Sequence, residues 1–367
     1  METSQLHIGL IIYGSLETMT GGYIYDRKVL EYLQSSGHRT SIFSFQRSPY
    51  LLNILDNFSG SMLEKVCSAG LDLLLQDELN HPSLFIWNRR LRRRTSLPVL
   101  TIVHALRSKS DRGALDRALA GYMERRYLST VDGYVCVSEH TRSQVRDLFP
   151  HDLPDLVAYP AGDRFPETGV SIPEYGLNEP LKLLFIGNLT PNKQLHLLLR
   201  ALTLLPSDSC ELTVVGGTDD YSGYARSLLD YVTDNNLTSS VHFFGRITDP
   251  ERIADLYREN DLLVLPSQSE GFPLVVPEAA GFGVPAIVTS NSGMAEFIQS
   301  GVNGFLCDAD DPRTLISPLQ TLMNNREKLR RMSAAAAKRF RSHPTWEETG
   351  ALIHRFIQQF IRRRQSN

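Results

Sequence analysis

Short apolar runs bounded by polar or turn residues alternate along the first half of the chain with stretches of helical spacing. The runs are Leu6–Tyr13 (LHIGLIIY), Thr40–Phe45, Leu71–Gln76 (LDLLLQ), Leu97–Val103 (LPVLTIV) and Val131–Val137 (VDGYVCV). Runs of this kind suit strands covered on both faces. Helical spacing is expected from Gly21-Gly22 to about Gln34, over Ser83–Arg93, over Gly113–Ser129 and over Glu139–Leu148. Gly37 lies just past the first of these, where a helix commonly ends. Strands alternating with helices predict a parallel, doubly wound α/β sheet.

The alternation stops between Pro160 and Pro180, where PAGDRFPETGVSIPEYGLNEP is dense in Pro and Gly and has no period. That composition marks a domain boundary and a bend. The pattern then resumes with strands at Leu181–Ile186, Glu211–Val215, Val241–Phe244, Asp261–Pro266 and Pro285–Thr289. Helices are expected between them, from about Asn192 to Leu205, near Tyr221–Asn235 and near Pro250–Glu259. A closing stripe of Leu352, Ile353, Phe356, Ile357, Phe360 and Ile361 predicts a packed helix around Trp346–Arg362. The chain therefore divides into domains at 1–165 and 181–343, a linker at 166–180 and a terminal helix within 344–367. Two Rossmann-like units joined by one linker imply a deep interdomain cleft between facing strand ends.

Composition adds few constraints. A length of 367 residues accommodates two domains. A net charge of −3 gives no reason to expect nucleic acid as a partner. Cys67, Cys136, Cys210 and Cys307 are scattered without metal-type spacing, as reduced structural thiols of a cytosolic protein would be. The chain enters Leu6–Tyr13 too early for a signal h-region with its cleavage site, and no window approaches a span of about 20 apolar residues. The expected location is cytoplasmic. The strongest local charge feature is Arg89, Arg90, Arg92, Arg93 and Arg94, just after Phe85, Ile86 and Trp87. It reads either as a solvated face or as a peripheral contact with an anionic surface, such as the inner face of a membrane.

Candidate chemistry concentrates in Asp261–Gly283, DLLVLPSQSEGFPLVVPEAAGFG. Ser267, Gln268, Ser269 and Gly271 form a loop at a strand's carboxyl end, the edge where open α/β sheets bind ligands. Pro277 belongs in the first turn of the following helix, because only there is its missing N–H harmless. Glu278 then projects near the helix start and Glu270 lies in the loop leading to it. Free amides at a helix start favour phosphate, whereas two carboxylates repel a diphosphate. The carboxylates are therefore expected to accept hydrogen bonds from hydroxyls while cations elsewhere take the phosphates, a division that describes a nucleotide-sugar pocket. The plain alternative is that Glu278 complements the helix dipole and Glu270 is a solvated loop residue.

Other candidates are weaker alone. Lys193, in GNLTPNK after the strand Leu181–Ile186, meets a phosphate as a point charge or simply begins a helix. Gly21 and Gly22 would let backbone amides approach a ligand. His104 follows a strand into the same edge, as a sugar contact or as a hydrogen-bonded structural histidine. Ser138 is expected to cap a helix. No Gly-x-Gly-x-x-Gly follows the first strand, so the dinucleotide fingerprint is missing. Asp308-Ala309-Asp310 formally spells a metal-binding Asp-x-Asp, but Asp311-Pro312 follows and helix capping explains it better.

Taken together, Gly187…Lys193, Gly245, Glu270-Gly-Phe-Pro-Leu, Glu278-Ala-Ala-Gly-Phe-Gly-Val-Pro, Gly293…Glu296 and Gly301-Val-Asn-Gly-Phe-Leu resemble glycosyltransferase family 4. These group 1 glycosyl transferases are retaining, nucleotide-sugar-dependent enzymes with the GT-B fold. The resemblance is dense over Leu181–Asp311; in the first half it rests on Gly21-Gly22, His104, Ser138 and Tyr159-Pro-Ala-Gly-Asp163. It implies that Glu278 binds ribose hydroxyls, that Glu270 lies by the transferred sugar, and that the backbone from Gly271 through Phe272 and Pro273 to Leu274 reaches the sugar and diphosphate. Lys193 would neutralise leaving-group charge, and His104 would contact the donor sugar from the N-terminal domain, which would also bind the acceptor. Gly21-Gly22 would close on the phosphates, the Gly245-Arg246 turn would line the nucleobase, and the last helix would cross back to the N-terminal domain. The leaving phosphate would accept the acceptor's proton, and neither metal nor cofactor would be needed.

Three departures stand out. Asn188 follows Gly187 where the family often has arginine, so one phosphate cation is either absent or replaced by Arg246. Pro273 removes a backbone donor where glycine is frequent, and Pro160 replaces a common asparagine. Two competing readings are a GT-B nucleotide-sugar epimerase and a non-catalytic nucleotide-sugar-binding partner of a transferase. The base, the sugar and the hydroxyl acceptor are not encoded in any readable motif.

Overall fold

The computed structural model describes residues 5–110, 113–165, 179–218 and 222–366. Most of the expected linker, 166–178, and Tyr221 lie outside the described residues. The chain divides into two compact units, Met1–Pro160 with Trp346–Asn367, and Ala161–Thr345.

The first unit is a six-stranded sheet in the order β2-β1-β3-β4-β5-β6. Its strands are β1 His7–Tyr13, β2 Arg39–Phe45, β3 Leu73–Asp77, β4 Val99–Val103, β5 Gly133–Cys136 and β6 Asp155–Val157. All pairings are parallel. β3 and β4 are buried at every position, whereas the edge strand β2 is largely open. The helix Gly21–Ser35 follows β1, capped by Thr20, whose hydroxyl accepts from Tyr23 N. Gly37 then takes φ +88°, which only glycine adopts without strain.

Where the sequence predicts one helix over Ser83–Arg93, the structure has two, His81–Leu84 and Trp87–Arg92. At the break, Asn57 Oδ1 accepts from Ile86 N at 2.8 Å and Trp87 N at 3.1 Å, replacing the carbonyls that a continuous helix would offer. Trp87 and Leu91 are fully buried with Leu84, Tyr127 and Val103. β6 was not anticipated, since three half-buried residues carry too little alternation to read.

The second unit repeats the plan, in the order β12-β11-β10-β7-β8-β9. Its strands are β7 Leu181–Ile186, β8 Cys210–Val215, β9 Val241–Phe243, β10 Leu262–Leu265, β11 Ala286–Thr289 and β12 Gly304–Cys307. Pairing is again parallel. The helix expected from Asn192 begins only at Leu195, after a tight 3₁₀ turn at Pro191–Lys193 and a left-handed Gln194 at φ +49°. β12 escaped detection because Gly-Phe-Leu-Cys is short and only its two ends are buried.

The terminal helix Trp346–Ser366 belongs to the first unit and packs on the helix Gly21–Ser35. Ile353, Ile357 and Phe360 are buried. Trp346 meets Tyr25 edge-on at 5.8 Å, and the ring nitrogens of His38 and His354 approach to 2.8 Å. The four cysteines are free, and no helix among the described residues is long and apolar enough to cross a membrane.

Gly350 sits where the two helices touch: a Cβ there would lie 2.3 Å from Tyr32 Cγ and 2.6 Å from its Cβ. Gly350→Ala should therefore cost about 1–3 kcal/mol through forced repacking, read as a fall of several degrees in Tm. An unchanged Tm would contradict the packing described.

Candidate functional site

Four turns meet at the carboxyl edge of the second sheet. After β7 come Gly187 and Asn188, after β8 Gly216 and Gly217, after β9 Gly245 and Arg246, and after β10 the loop to Glu270. They are tied through their backbones: Gly187 N donates to Val215 O at 2.9 Å, Leu189 N to Gly217 O at 2.8 Å and Gly216 N to Gly245 O at 2.9 Å. A Cβ on Gly216 would fall 1.9 Å from Gly187 O, so only glycine permits this approach. A Cβ on Gly217 would fall 2.7 Å from the Arg246 guanidinium. Arg246, expected to line a nucleobase, thus lies over the β8 turn. Gly216-Gly217 was missed from the sequence, although a glycine pair after a strand is the signal that singled out Gly21-Gly22.

The structure brings Lys193 and Glu270 together. Lys193 Nζ lies 2.7 Å from Glu270 Oε1, with both side chains about one-fifth exposed. The Lys193 stem passes within 3.4 Å of the Cβ position of Gly187. Asn192 fixes the pair's surroundings: its Nδ2 donates to Ser269 O at 3.0 Å and Glu270 Oε1 at 3.3 Å, and its carbonyl accepts from Gln268 N at 2.8 Å. On the far side, Gly293 N donates to Glu270 O at 3.2 Å. Gly271, Phe272, Pro273 and Leu274 are buried, and Phe272 stacks on His343 at 5.5 Å. The Phe272 ring is therefore part of the core, which leaves backbone atoms as this segment's means of touching a ligand.

Pro277 falls in the first turn of the helix Val275–Gly281, as its chemistry requires. Glu278, only 1% exposed, has two protein partners. Arg164 Nε lies 3.0 Å from Oε1, an Arg164 terminal nitrogen donates to Oε2 at 3.1 Å, and Tyr257 Oη donates to Oε2 at 3.0 Å. Burial raises the Glu278 pKa, opposed by the charge of Arg164 and the bond from Tyr257. Gly162 makes room for this arrangement, since a Cβ there would lie 2.6 Å from the Pro277 carbonyl carbon. Sequence reasoning missed Arg164 and Tyr257. Arg164 lay inside the Pro/Gly-rich boundary, and nothing distinguishes Tyr257 from other core aromatics.

In the first unit, His104 follows β4 and its Nε2 lies 3.0 Å from Oδ1 of the fully buried Asp26. Tyr25 meets the imidazole edge-on at 5.3 Å, and a Cβ on Gly22 would come within 3.3 Å of it, so Gly22 and His104 share one place. Burial works to lower the His104 pKa. The charge and hydrogen bond of Asp26, with Asp77 and Glu78 behind, outweigh it and raise the ring to about 9. Glu78 is itself pushed up to about 8 by burial.

Among the described residues, two side-chain clusters have metal-ligand composition, Asp26 with Asp77 and His104, and Glu78 with His81 and Glu124. Both read better as hydrogen-bond networks. His104 is engaged with Asp26, and His81 is engaged at both nitrogens, by Tyr50 Oη at 2.6 Å and Glu78 O at 3.0 Å. Ser138 caps its helix, accepting from Thr141 N at 3.0 Å. Asp308 and Asp311 each accept the backbone N–H two residues on, from Asp310 and Arg313, as in Asx turns; the helix Arg313–Asn324 that follows has Pro312 at its N-cap and no side-chain cap.

The chain has relatives among known proteins. Residues 171–339 match the model of the family described as glycosyl transferases group 1. A D-inositol 3-phosphate glycosyltransferase of Rhodococcus opacus (strain B4) is 33% identical over 202 residues, 53% of this chain and 44% of that protein. The chain thus spans less than half the length of that relative. In fold, a sucrose-phosphate synthase of Thermosynechococcus elongatus superposes with TM-score 0.80 at 20% identity, covering 97% of this chain and 99% of that one. Anabaena Alr3699/HepE in complex with UDP and glucose gives TM-score 0.76 at 16% identity, covering 97% and 100%. The architecture is therefore the GT-B type, two α/β units built on parallel sheets.

The raised His104 pKa has a definite sign. Its stabilising contribution is fully present below the unfolded value of 6.5 and is lost as pH rises through about 9. Ring-proton NMR should show His104 titrating near 9, and Asp26→Asn should lower that titration, because only Asp77 and Glu78 then oppose burial. A wild-type midpoint near 6.5 would contradict the Asp26 pairing.

Proposed function

We propose that the chain is a retaining glycosyltransferase of family 4, moving a hexose or related sugar from a nucleoside diphosphate to an acceptor hydroxyl. The observation that carries this reading is the Lys193–Glu270 ion pair at 2.7 Å, set among glycine turns whose backbones touch. Only part of this charge is buried, so a diphosphate can share Lys193 without leaving a buried ion unpaired. Glu270, released toward the sugar, is a hydroxyl acceptor. Glu278 keeps Arg164 and Tyr257 and offers its remaining lone pairs to the ribose, since each carboxylate oxygen carries two. Arg246 and the turn at Gly245 serve the base.

Departure of the diphosphate is the step that needs charge stabilisation. Lys193 and Arg246 supply cations, compensating Asn188, and Pro273 contributes no N–H. With retention, the leaving phosphate oxygen accepts the proton of the attacking hydroxyl, so the protein mainly positions the reactants and stabilises charge. His104, held charged by Asp26, is the donor-sugar contact of the first unit. Metal is dispensable in this scheme. The proposal includes a cytoplasmic location and peripheral contact with an anionic membrane face through residues 89–94.

Two of the relatives named above are a glycosyltransferase and a synthase, which supports transfer over epimerisation or binding without catalysis. HepE's complex with UDP and glucose makes uridine diphosphate sugars the first donors to try.

Glu270→Gln should lower kcat on the order of 10²-fold or more, as loss of a preorganised site group commonly does. Because the pair is partly buried, its loss should cost about 1–2 kcal/mol, a fall of a few degrees in Tm that leaves the enzyme folded in the assay. The assay is release of nucleoside diphosphate and of glycosylated product across UDP-, GDP-, ADP- and dTDP-sugars. Transfer at the wild-type rate by this variant would sink the role given to Glu270.

A further inference from the structure

The segment Leu52–Phe58 is amphipathic in the wrong sense for a surface facing only water. It is a 3₁₀ helix, in which side chains three apart eclipse, so Leu52, Leu55 and Phe58 form one stripe. That stripe points outward, at 55%, 67% and 65% exposure, and Leu51 extends it at 57%. The polar residues point inward: Asn53 is 5% exposed and Asn57 fully buried. Asn57 Nδ2 donates to Pro82 O at 2.6 Å, and Asn53 O accepts from Ser83 Oγ at 2.9 Å. These anchors fix the orientation, so the stripe cannot roll under. Four large apolar side chains crowded into eight residues, on a short element with its polar side inward, mark an interaction surface.

The basic run begins in the adjoining helix Trp87–Arg92 and ends just past it at Arg93 and Arg94; the helix is fastened to the same segment by Asn57 Oδ1 and by Arg90, whose guanidinium donates to Asn57 O at 2.7 Å. Its five arginines are not equivalent. Arg90 is committed to Asn57, Arg92 to Thr130 O and Asp132, and Arg94 to Glu64. Arg89 and Arg93 are exposed and have no side-chain partner among the described residues.

We infer that Leu51–Phe58 with Arg89 and Arg93 is a membrane-docking surface, its apolar stripe entering the interface and the two arginines meeting anionic headgroups. Exposed leucine and phenylalanine beside uncommitted arginine is the chemistry of such a contact. A second copy of the chain is a poorer occupant, since a two-fold contact through this patch would bring the same arginines toward one another. The inference extends the membrane contact proposed for residues 89–94 by naming the element that inserts, and it rests on none of the donor chemistry.

The test is co-sedimentation of the full chain with phosphatidylcholine vesicles with and without phosphatidylserine. Wild type should pellet with the anionic vesicles at least tenfold more strongly than with the neutral ones. The pairs Leu55→Ser with Phe58→Ser, and Arg89→Glu with Arg93→Glu, should each weaken that binding about tenfold or more. All four positions are exposed, so Tm and the thermal shift produced by a nucleotide sugar should be unchanged, which separates this surface from the donor site. Equal binding by wild type and variants, or no binding at all, overturns the inference even if donor binding and transfer are intact. A lipid-free dimer abolished by Leu55→Ser with Phe58→Ser would likewise overturn it, in favour of a second copy.

Discussion

A carboxylate buried as deeply as Glu278 destabilises a fold by several kcal/mol unless it is paired and hydrogen-bonded. Arg164 and Tyr257 meet that requirement, and in doing so they join three segments of the second unit. Arg164 comes from the stretch after Pro160, Tyr257 from the helix Pro250–Glu259, and Glu278 from the helix that follows β10. The stacked Tyr257 and Phe282 rings and Phe165 close the apolar side of the cluster. Glu270, the glycine turns and the loop backbone hold their places because the helix behind them is fixed.

Two ion pairs of unlike character result. In Glu278–Arg164 the carboxylate is buried, and breaking the pair would strand its charge; in Glu270–Lys193 both side chains keep about one-fifth of their surface in solvent. A buried carboxylate beside a partly exposed one fits the division proposed above, with Glu278 for the ribose and Lys193 shared with the diphosphate. His104–Asp26, on the other unit, has the character of the first: the carboxylate is buried and the imidazole partly open.

Much of this was legible in the sequence. Among the described residues, apolar runs located ten of the twelve strands, because most of these parallel strands are covered on both faces and need no alternation; β6 and β12 are only partly buried, and no apolar run marks them. Pro277 located a helix start through a single missing N–H. Glu270 and Lys193 were separate candidates whose meeting depends on β7 and β10 being sheet neighbours, a fact that strand order alone supplies. Arg164 was hidden in a boundary segment and Gly216-Gly217 in an ordinary turn. The inverted stripe at Leu52–Phe58 was unreadable for another reason: its apolar residues have ordinary helical spacing, and only burial shows that they face outward.

Hydrogen–deuterium exchange of the intact chain, with and without a nucleoside diphosphate sugar, tests the central claim most directly. Occupancy of the second unit's sheet edge predicts slower exchange at residues 187–193, 216–217, 245–246 and 268–274, with the segment 52–58 unchanged. Donor binding that leaves those four turns unprotected, or protects a different edge, would contradict it.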